Sequence, residues 1–315
     1  MIDQIRDRVV GSTTELFSHG PQPLEHTLDH MGDPGLLGPE SVSWPVIGDA
    51  TAFVGGIRAL LVQTAHPEVV AGVEQHSRYR TDPLGRLTRT SAYVTETTYG
   101  AMAEVDTAVA TVRSAHAPVE GHSERGKAYS AGNPAMAAWV HNVLTDSFLA
   151  AFQAYGPRRL TPSEADRFVA EQTRVGALLG AAPLPDTAET LSRWVCEHAA
   201  IEPSAAQQEA ISFLRKPPLP LPVRVGYELL FRAAVATLPA RIASVIGLEA
   251  GDHDAMVGGA AVRSLRWALG SSPSWHVALI RSGAPVPGGL FRQPLRVDVS
   301  TLPEDSETEG AAHVE

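Results

Sequence analysis

Apolar residues recur every three or four positions along most of this chain, which is the period of an α-helix with one buried face. Residues 101–121 show the pattern most informatively, because one face of the predicted helix carries Val105, Val109, Val112 and His116. The three valines predict a buried stripe, so we expect the imidazole of His116 to point into an apolar interior. A buried imidazole requires a hydrogen-bond partner or a metal ion. His116 is therefore expected to be either a structural core residue or a ligand.

Helical periodicity extends over nearly the whole chain. Asp82, Asn133 and Thr161 each precede a proline, and these pairs predict helices that start at residues 83, 134 and 162. Further helices are predicted at residues 2–17, 49–64, 191–199, 204–215, 223–238, 240–246, 254–269 and 275–281, and one starts at Pro67. No alternating pattern indicates a sheet. We therefore expect an all-α fold in one domain, residues 1–300, followed by a disordered acidic tail, residues 301–315.

Two further histidines, His76 and His141, fall on apolar helical faces at the same spacing. The helix that starts at residue 83 also carries a polar stripe, made of Arg86, Thr90, Tyr93 and Thr97. Such a stripe is either a solvated surface or the polar wall of a pocket. Each histidine is likewise either a satisfied core residue or a ligand.

Composition narrows the possible functions. The formal net charge of −10 argues against nucleic acid or an anionic membrane surface as a partner. Cys196 is the single cysteine, so the chain forms no internal disulfide and no thiolate cluster. The first residues lack the apolar run of a signal peptide, and no segment is long and apolar enough to span a membrane. We therefore expect a cytoplasmic protein. Residues 216–222 read KPPLPLP and predict an extended strap between two helices.

Several common catalytic motifs are absent from the sequence, namely HExxH, Glu-x-x-His, CxxCH, the P-loop, GxGxxG after a strand and GxSxG. What remains is a set of histidines on apolar helices, with Arg86 and Thr90 close to them in sequence. A haem uses such residues, because its iron takes an axial imidazole, its ring takes an apolar slot and its propionates take arginine or hydroxyl partners. The residues alone do not choose between a haem site and a polar core.

Four segments resemble one large, mainly bacterial family that includes the latex-clearing rubber oxygenases and a fungal oxygenase of mycophenolic acid biosynthesis. They are HPEVVAGVEQHSRYRTDPLGRLTRTSAYVTETTYG, HAPVEG, SAGNPAMAAWVHNVLTDSFLAAF and LPLPVRVGYELL with LPARIASVIGL. They occur in the family's order and cover about residues 45 to 250. The resemblance implies an all-α, globin-like core, with additional surrounding helices, that binds one non-covalent haem b.

The resemblance also implies roles for individual residues. His116 matches the axial ligand, and Arg113 matches an arginine three residues before it. Arg86 and Thr90 match the family's Arg-x-x-x-Thr pair beside the haem. His141, in the Trp-x-His segment, is the rival ligand or a second axial ligand.

This chain departs from the rubber oxygenases at two matched positions. Glu120 stands where those enzymes have a second arginine after the ligand, and Arg89 stands where they have a lysine. Their proposed catalytic glutamate has no aligned partner here, although Glu68 and Glu74 are nearby. Rubber is an extracellular polymer and this chain shows no signal peptide, so we do not expect rubber to be its substrate.

These observations favour a haem-b-dependent oxygenase or oxidoreductase that acts on a small apolar substrate with O₂ or peroxide. An external electron donor would supply electrons if the reaction needs them. The alternative is a non-catalytic haem sensor or carrier with two axial histidines. A third reading is a haem-free helical protein whose histidines are structural.

Overall fold

The computed structural model describes residues 2–295 and 297, and this part of the chain is built almost entirely of α-helices. Its helices are α1 (Ile2–Leu16), α2 (Ser43–Gly48), α3 (Thr51–Gln63), α4 (Pro67–His76), α5 (Pro83–Tyr99), α6 (Met102–His116), α7 (Pro134–Tyr155), α8 (Pro162–Leu178), α9 (Ala188–Glu197), α10 (Ala205–Arg215), α11 (Leu221–Val235), α12 (Ala240–Ile246), α13 (Asp254–Leu269) and α14 (Pro273–Ser282). A 3-10 turn, Thr27–His30, precedes α2. The all-α prediction is confirmed.

The centre of the molecule is the pair formed by α3 and α7, which pack against each other along most of their lengths. α3 is apolar nearly all round, as its sequence predicts, and α11 covers another of its sides. α8 and α9 pack against α7, while α5 packs against α6. Buried residues from α2, α3, α7, α8 and α11 to α14 belong to one continuous hydrophobic core. The single-domain organisation stays a prediction, and residues 301–315 lie outside the described residues.

The predicted helix starts agree with the structure because their capping residues satisfy free backbone N–H groups. The Asp82 carboxylate accepts a hydrogen bond from the Gly85 N–H at 3.0 Å, and Asn133 accepts one from the Ala135 N–H at 2.9 Å. The Thr161 hydroxyl accepts one from the N–H of Glu164, and the carboxylate of that residue accepts from the Thr161 N–H at 2.8 Å.

The prediction of one helix over residues 101–121 is wrong at its C-terminal end. α6 ends at His116, and a short antiparallel hairpin follows, made of β1 (Glu120–His122) and β2 (Ala128–Ser130). Gly121 pairs with Tyr129 at the centre of this hairpin. Three-residue strands are too short to show a period in the sequence, so this hairpin could not be seen there.

The junction between α5 and α6 is held by a buried network of hydrogen bonds. Arg281, which is fully buried, donates to the Tyr99 carbonyl at 2.5 Å and to the Thr27 hydroxyl at 2.7 Å. Trp44 donates its indole N–H to the Thr98 carbonyl at 2.7 Å. Glu104 accepts from the Ala101 N–H at 2.8 Å. These bonds fix the end of α5 and the start of α6 against α2 and α14.

Candidate functional site

Arg86 lies in the second turn of α5 and is partly buried. Its guanidinium donates to the Ser77 hydroxyl at 2.9 Å and lies 5.9 Å from the centre of the Tyr79 ring. Burial lowers the pKa of Arg86 below its ordinary value. We considered Glu96 and Glu104 as its partners from the sequence, but no carboxylate pairs with it among the described residues. Arg86 is thus a desolvated cation without a carboxylate partner among the described residues.

Thr90 and Tyr93 continue the polar stripe of α5 beyond Arg86. The Thr90 side chain is exposed and makes no hydrogen bond to any part of the chain that the structure describes. The Tyr93 hydroxyl oxygen is buried without a hydrogen-bond partner, and burial raises the pKa of Tyr93 to about 12. A buried, unpartnered hydroxyl costs about 1–3 kcal/mol. A ligand with a polar atom beside the Tyr93 hydroxyl would supply the hydrogen bond that the described residues do not.

His116 is the last residue of α6, and its side chain is exposed rather than buried. The prediction that it points into an apolar interior is wrong. Val105 and Val109 are buried, Val112 is only partly so, and the rest of the helix extends past its neighbours. Desolvation nevertheless lowers the pKa of the imidazole below its usual value.

Arg113 connects the end of α6 to the end of α8. Its guanidinium donates to the Leu178 carbonyl at 2.5 Å. Arg113 and His116 are three positions apart, so they are neighbours on one helical face. The bond to α8 therefore holds the turn of α6 that carries His116.

His141 lies on α7 and packs against α8. A Cβ added to Gly176 would lie 2.6 Å from the His141 Cδ2 and 2.8 Å from its Nε2, so the ring rests directly on the glycine backbone. The ring Nε2 lies 3.4 Å from the Thr145 hydroxyl oxygen. Burial lowers the pKa of His141 to about 4. At neutral pH the side chain is therefore an uncharged imidazole wedged between two helices.

His76 is not an inward-facing residue, and that prediction is wrong. Its side chain is exposed at the end of α4, where its Nε2 lies 3.1 Å from the Glu120 carbonyl oxygen and 3.2 Å from the Tyr129 hydroxyl. His76 is the last residue of α4, and at this position the face that carries the apolar residues is no longer covered by the core. His76 and the Glu120 backbone instead attach the β-hairpin to α4.

A buried polar cluster beside the hairpin was not found from the sequence. Arg125 donates to both carboxylate oxygens of Glu68, at 2.8 and 3.0 Å, and the Ser123 hydroxyl donates to the same carboxylate at 3.1 Å. Burial alone would raise the pKa of Glu68, but these bonds lower it overall. The partners are more than fifty residues apart in the chain, so no local spacing could reveal them. Glu68 is committed to this cluster and is not a free base.

Glu74 and Arg89 are also engaged at the surface. Glu74 pairs with Arg80 at 2.7 Å and accepts from the Tyr79 hydroxyl at 2.6 Å. Arg89 pairs with the N-cap residue Asp82 at 3.2 Å. Neither side chain extends the group formed by Arg86, Thr90 and Tyr93.

The structure thus places the predicted residues in two groups. Arg86, Thr90 and Tyr93 share one stripe of α5, while Arg113, in the same turn of α6 as His116, bonds to the end of α8 close to the glycine that supports His141. No hydrogen bond or ion pair joins the two groups within residues 2–295. Their donor chemistry fits a haem, because it includes a neutral imidazole, a cation without a carboxylate partner and a buried hydroxyl without an acceptor.

Residues 44–269 match the family model described as "ER-bound oxygenase mpaB/B'/Rubber oxygenase, catalytic domain". The chain belongs to this family. The catalytic domain of the mpaB/rubber oxygenase family thus covers the whole region from α2 to α13, including both groups of residues. The chain is accordingly an enzyme of an oxygenase family, which confirms the family expected from its segments. No curated protein and no solved structure matches the chain.

Two further searches of the structure bear on this oxygenase domain. Among the described helices, none is both long and apolar enough to cross a membrane. No group of three or more His, Cys, Asp or Glu side chains is arranged to hold a metal ion in the described part of the chain. A haem would not require such a group, since the porphyrin nitrogens would supply most of the ligands of its iron.

Proposed function

We propose that this member of the mpaB/rubber oxygenase family is a haem-b-dependent oxygenase that acts on a small apolar substrate. The observation that carries the proposal is the state of Arg86, which is partly buried, desolvated and without a carboxylate partner. An unpaired cation in such a place is costly unless an anion joins it. A haem propionate is an anion of the right chemistry for a guanidinium.

His116 is the axial ligand in this proposal. Metal ligation requires the neutral imidazole, and desolvation favours the neutral form by lowering the pKa of His116. Its ring makes no hydrogen bond with the described residues, so both nitrogens are free. When bound, haem b supplies an iron centre at which O₂ or peroxide can react.

The surrounding residues would then position the ligand and shape the site. Arg113 would attach the end of α6 to the Leu178 carbonyl of α8, and this bond would hold the turn that carries His116 in place relative to α8. Thr90 and Tyr93 would present hydroxyl groups from α5, and the Tyr93 hydroxyl would gain the acceptor that it lacks. Val112, the partly exposed valine of α6, would offer apolar surface to the porphyrin or to substrate.

A single axial histidine fits the packing better than two. His141 rests on the Gly176 backbone and lies near the Thr145 hydroxyl, which is the environment of a helix-packing side chain. In the alternative, a non-catalytic sensor or carrier with two histidine ligands, the His141 ring would have to move off the Gly176 backbone to reach the iron. We therefore propose that His141 supports the site through α7 and α8.

The rubber oxygenases suggest oxygen insertion at a C=C bond, and we propose an apolar alkene as the substrate class. O₂ or peroxide would be the co-substrate, with an external donor only if the reaction consumes electrons. The cytoplasmic location expected from the sequence stays a prediction.

The test is haem-dependent oxygen uptake. Apoprotein titrated with haem should bind one haem per chain and then consume O₂ only when an apolar alkene is present, with ¹⁸O from labelled O₂ in the product. Haem alone and apoprotein alone are the controls. A protein that takes up no haem, or whose haem never reacts with any alkene in a broad panel, would contradict the proposal.

A further inference from the structure

A cavity lies beside α11. Its volume is about 560 Å³, and it is lined by one face of α11, the strap before α11 and the segment after α12. Six residues of that α11 face line it, at the spacing of a single helical stripe: Arg224, Tyr227, Glu228, Phe231, Arg232 and Val235. None of its lining residues belongs to α5, α6, α7 or α8. This groove, the α11 groove, is therefore separate from the proposed haem site.

The floor of the α11 groove is apolar. Phe231, Val235 and Leu248 are 7 %, 6 % and 1 % exposed, so they form a packed base rather than a mobile surface. The Tyr227 hydroxyl donates to the Leu214 carbonyl at 2.6 Å, which turns its polar end away into the backbone and leaves the ring to line the groove. Such a floor favours an aliphatic ligand.

Three cations line the α11 groove near the start of the α11 stripe, because Arg224 begins that stripe and Arg215 and Lys216 directly follow Leu214, whose carbonyl accepts from the Tyr227 hydroxyl. Arg215 and Lys216 come from the end of α10 and the strap, and Arg224 comes from the first turn of α11 after it. Within the residues that the structure describes, no ion pair or hydrogen bond engages any of the three side chains. Glu228 stands four residues after Arg224, where a helical ion pair could form, yet the two side chains do not pair. This cationic end is unusual in a chain with a net charge of −10.

The opposite end of the α11 groove carries no free cation among the described residues, and it has a free carboxylate. Arg232 is neutralised there by Asp254 at 2.6 Å, and the exposed Glu249 follows the buried Leu248. Eleven residues separate Arg224 from Val235, which is about 16 Å along a helix axis. The groove therefore has a cationic end and an apolar floor, and the Glu228 and Glu249 carboxylates that also line it repel a second anion.

We propose that the α11 groove binds a free medium-chain or long-chain carboxylate. Its acid group lies among Arg215, Lys216 and Arg224, and its chain lies along Tyr227, Phe231 and Val235. The charge polarity of the groove fixes this orientation. A neutral chain lacks the head contacts, and a phosphate headgroup fixed in a bilayer cannot bring its chains onto the groove floor.

Isothermal titration calorimetry of the full-length, haem-loaded protein tests this assignment. Dodecanoate, kept below its micelle-forming concentration, should bind, and dodecanol should bind about tenfold more weakly or worse. The triple variant Arg215→Gln, Lys216→Gln, Arg224→Gln should lose about tenfold or more in affinity for dodecanoate. The matched control carries Lys127→Gln, Arg174→Gln and Arg263→Gln, three exposed cations outside the groove, and should bind like the unsubstituted protein.

The remaining outcomes overturn the proposal. Equal affinity for dodecanol and dodecanoate would remove the role of the cationic end. Equal loss in both triple variants would show a general charge effect, and no loss in either would place the ligand elsewhere, such as at the haem site. Binding to anionic phosphatidylglycerol vesicles without binding to free dodecanoate would make the groove a lipid surface instead. Because the readout is binding at a groove that shares no lining residue with α5, α6, α7 or α8, failure here leaves the oxygenase proposal untouched.

Discussion

The imidazole of His141 lies directly on the backbone of Gly176, with no room for a methyl group between α7 and α8. Ala at this position would place its Cβ 2.6 Å from the His141 Cδ2. Only glycine fits at position 176 while the His141 ring is in this place. The contact also links α7 to the end of α8, where the Leu178 carbonyl accepts a hydrogen bond from Arg113. One pair of residues thus couples the two helices beside the proposed haem site.

The substitution Gly176→Ala should lower the free energy of unfolding by about 1–2 kcal/mol, because overpacking outweighs the gain in helix propensity. In a His141→Ala background the same substitution should cost less, since the two closest contacts are gone and only the flexible end of the Leu184 side chain, at 2.9 Å, still has to shift. Chemical denaturation of all four proteins in a double-mutant cycle measures this coupling. Gly56→Ala in α3, where a Cβ meets nothing within 4 Å, is the control and should not destabilise. Additive effects in the cycle would contradict the packing.

Replacing Arg86 by Gln should weaken haem binding by about tenfold or more, because a charge-assisted hydrogen bond to a propionate is lost. The apoprotein should lose little stability, since the guanidinium is desolvated and donates to the Ser77 hydroxyl but pairs with no carboxylate. Haem titration followed by absorbance, together with thermal unfolding of the apoprotein, measures both quantities. Arg89→Gln removes a neighbouring exposed cation that pairs with Asp82 and should leave haem affinity unchanged. Equal affinities in the Arg86 variant and the unsubstituted protein would place the propionates elsewhere.

Much of the fold could be predicted from the sequence, because helix starts depend on local residues. The Asp82, Asn133 and Thr161 caps are hydrogen-bonded as expected. The position of His116 could not be predicted, since periodicity shows which face of a helix is apolar but not where the neighbouring helix ends. Val109 is buried and His116 is exposed on the same face for that reason. The hairpin after α6 was missed because its strands are too short to show a pattern.

Contacts between distant segments were beyond sequence reasoning altogether. No local signal pairs Arg125 with Glu68, or brings Gly176 under His141. The polar stripe that contains Arg86 was visible, but its lack of a carboxylate partner is a property of the folded chain.

Substitution of one partner in the buried ion pair between Arg58 and Asp146 should destabilise the fold strongly. Its atoms are 2.8 Å apart, and the two side chains are 3 % and 8 % exposed. Asp146→Ala should cost about 3–5 kcal/mol of unfolding free energy, because it leaves a buried guanidinium without its counter-charge. The double variant Arg58→Met, Asp146→Leu should recover most of that loss. Glu189→Ala, which breaks an exposed ion pair with Arg193, should cost less than about 1 kcal/mol in the same urea titration.

Glu96 should make stability fall as the pH rises towards neutrality. Burial, with a smaller repulsion from Glu104, raises the pKa of Glu96 to about 7, above its value of 4.5 in the unfolded chain. Between these two values the folded state holds a proton that the unfolded state has released, so the stabilisation is present below pH 4.5 and is lost through pH 7. Glu96→Gln should therefore add about 1–3 kcal/mol above pH 7 and little near pH 4.5.

Urea titrations across this pH range measure the difference between the Glu96 variant and the unsubstituted protein. Asp106→Asn, at an exposed side chain of α6, is the control and should follow the unsubstituted protein at every pH. A constant offset for Glu96→Gln at all pH values would show that its carboxyl does not titrate in this range.

The most direct test of the account is the visible spectrum of the haem-titrated protein beside its His116→Ala and His141→Ala variants. We predict a Soret band characteristic of protein-bound haem in the unsubstituted protein and in His141→Ala, and its loss or conversion to the spectrum of unligated haem in His116→Ala alone. A band that survives in His116→Ala but disappears in His141→Ala would move the ligand to α7. The absence of a Soret band from all three proteins would contradict the assignment of a haem site to this oxygenase-family chain.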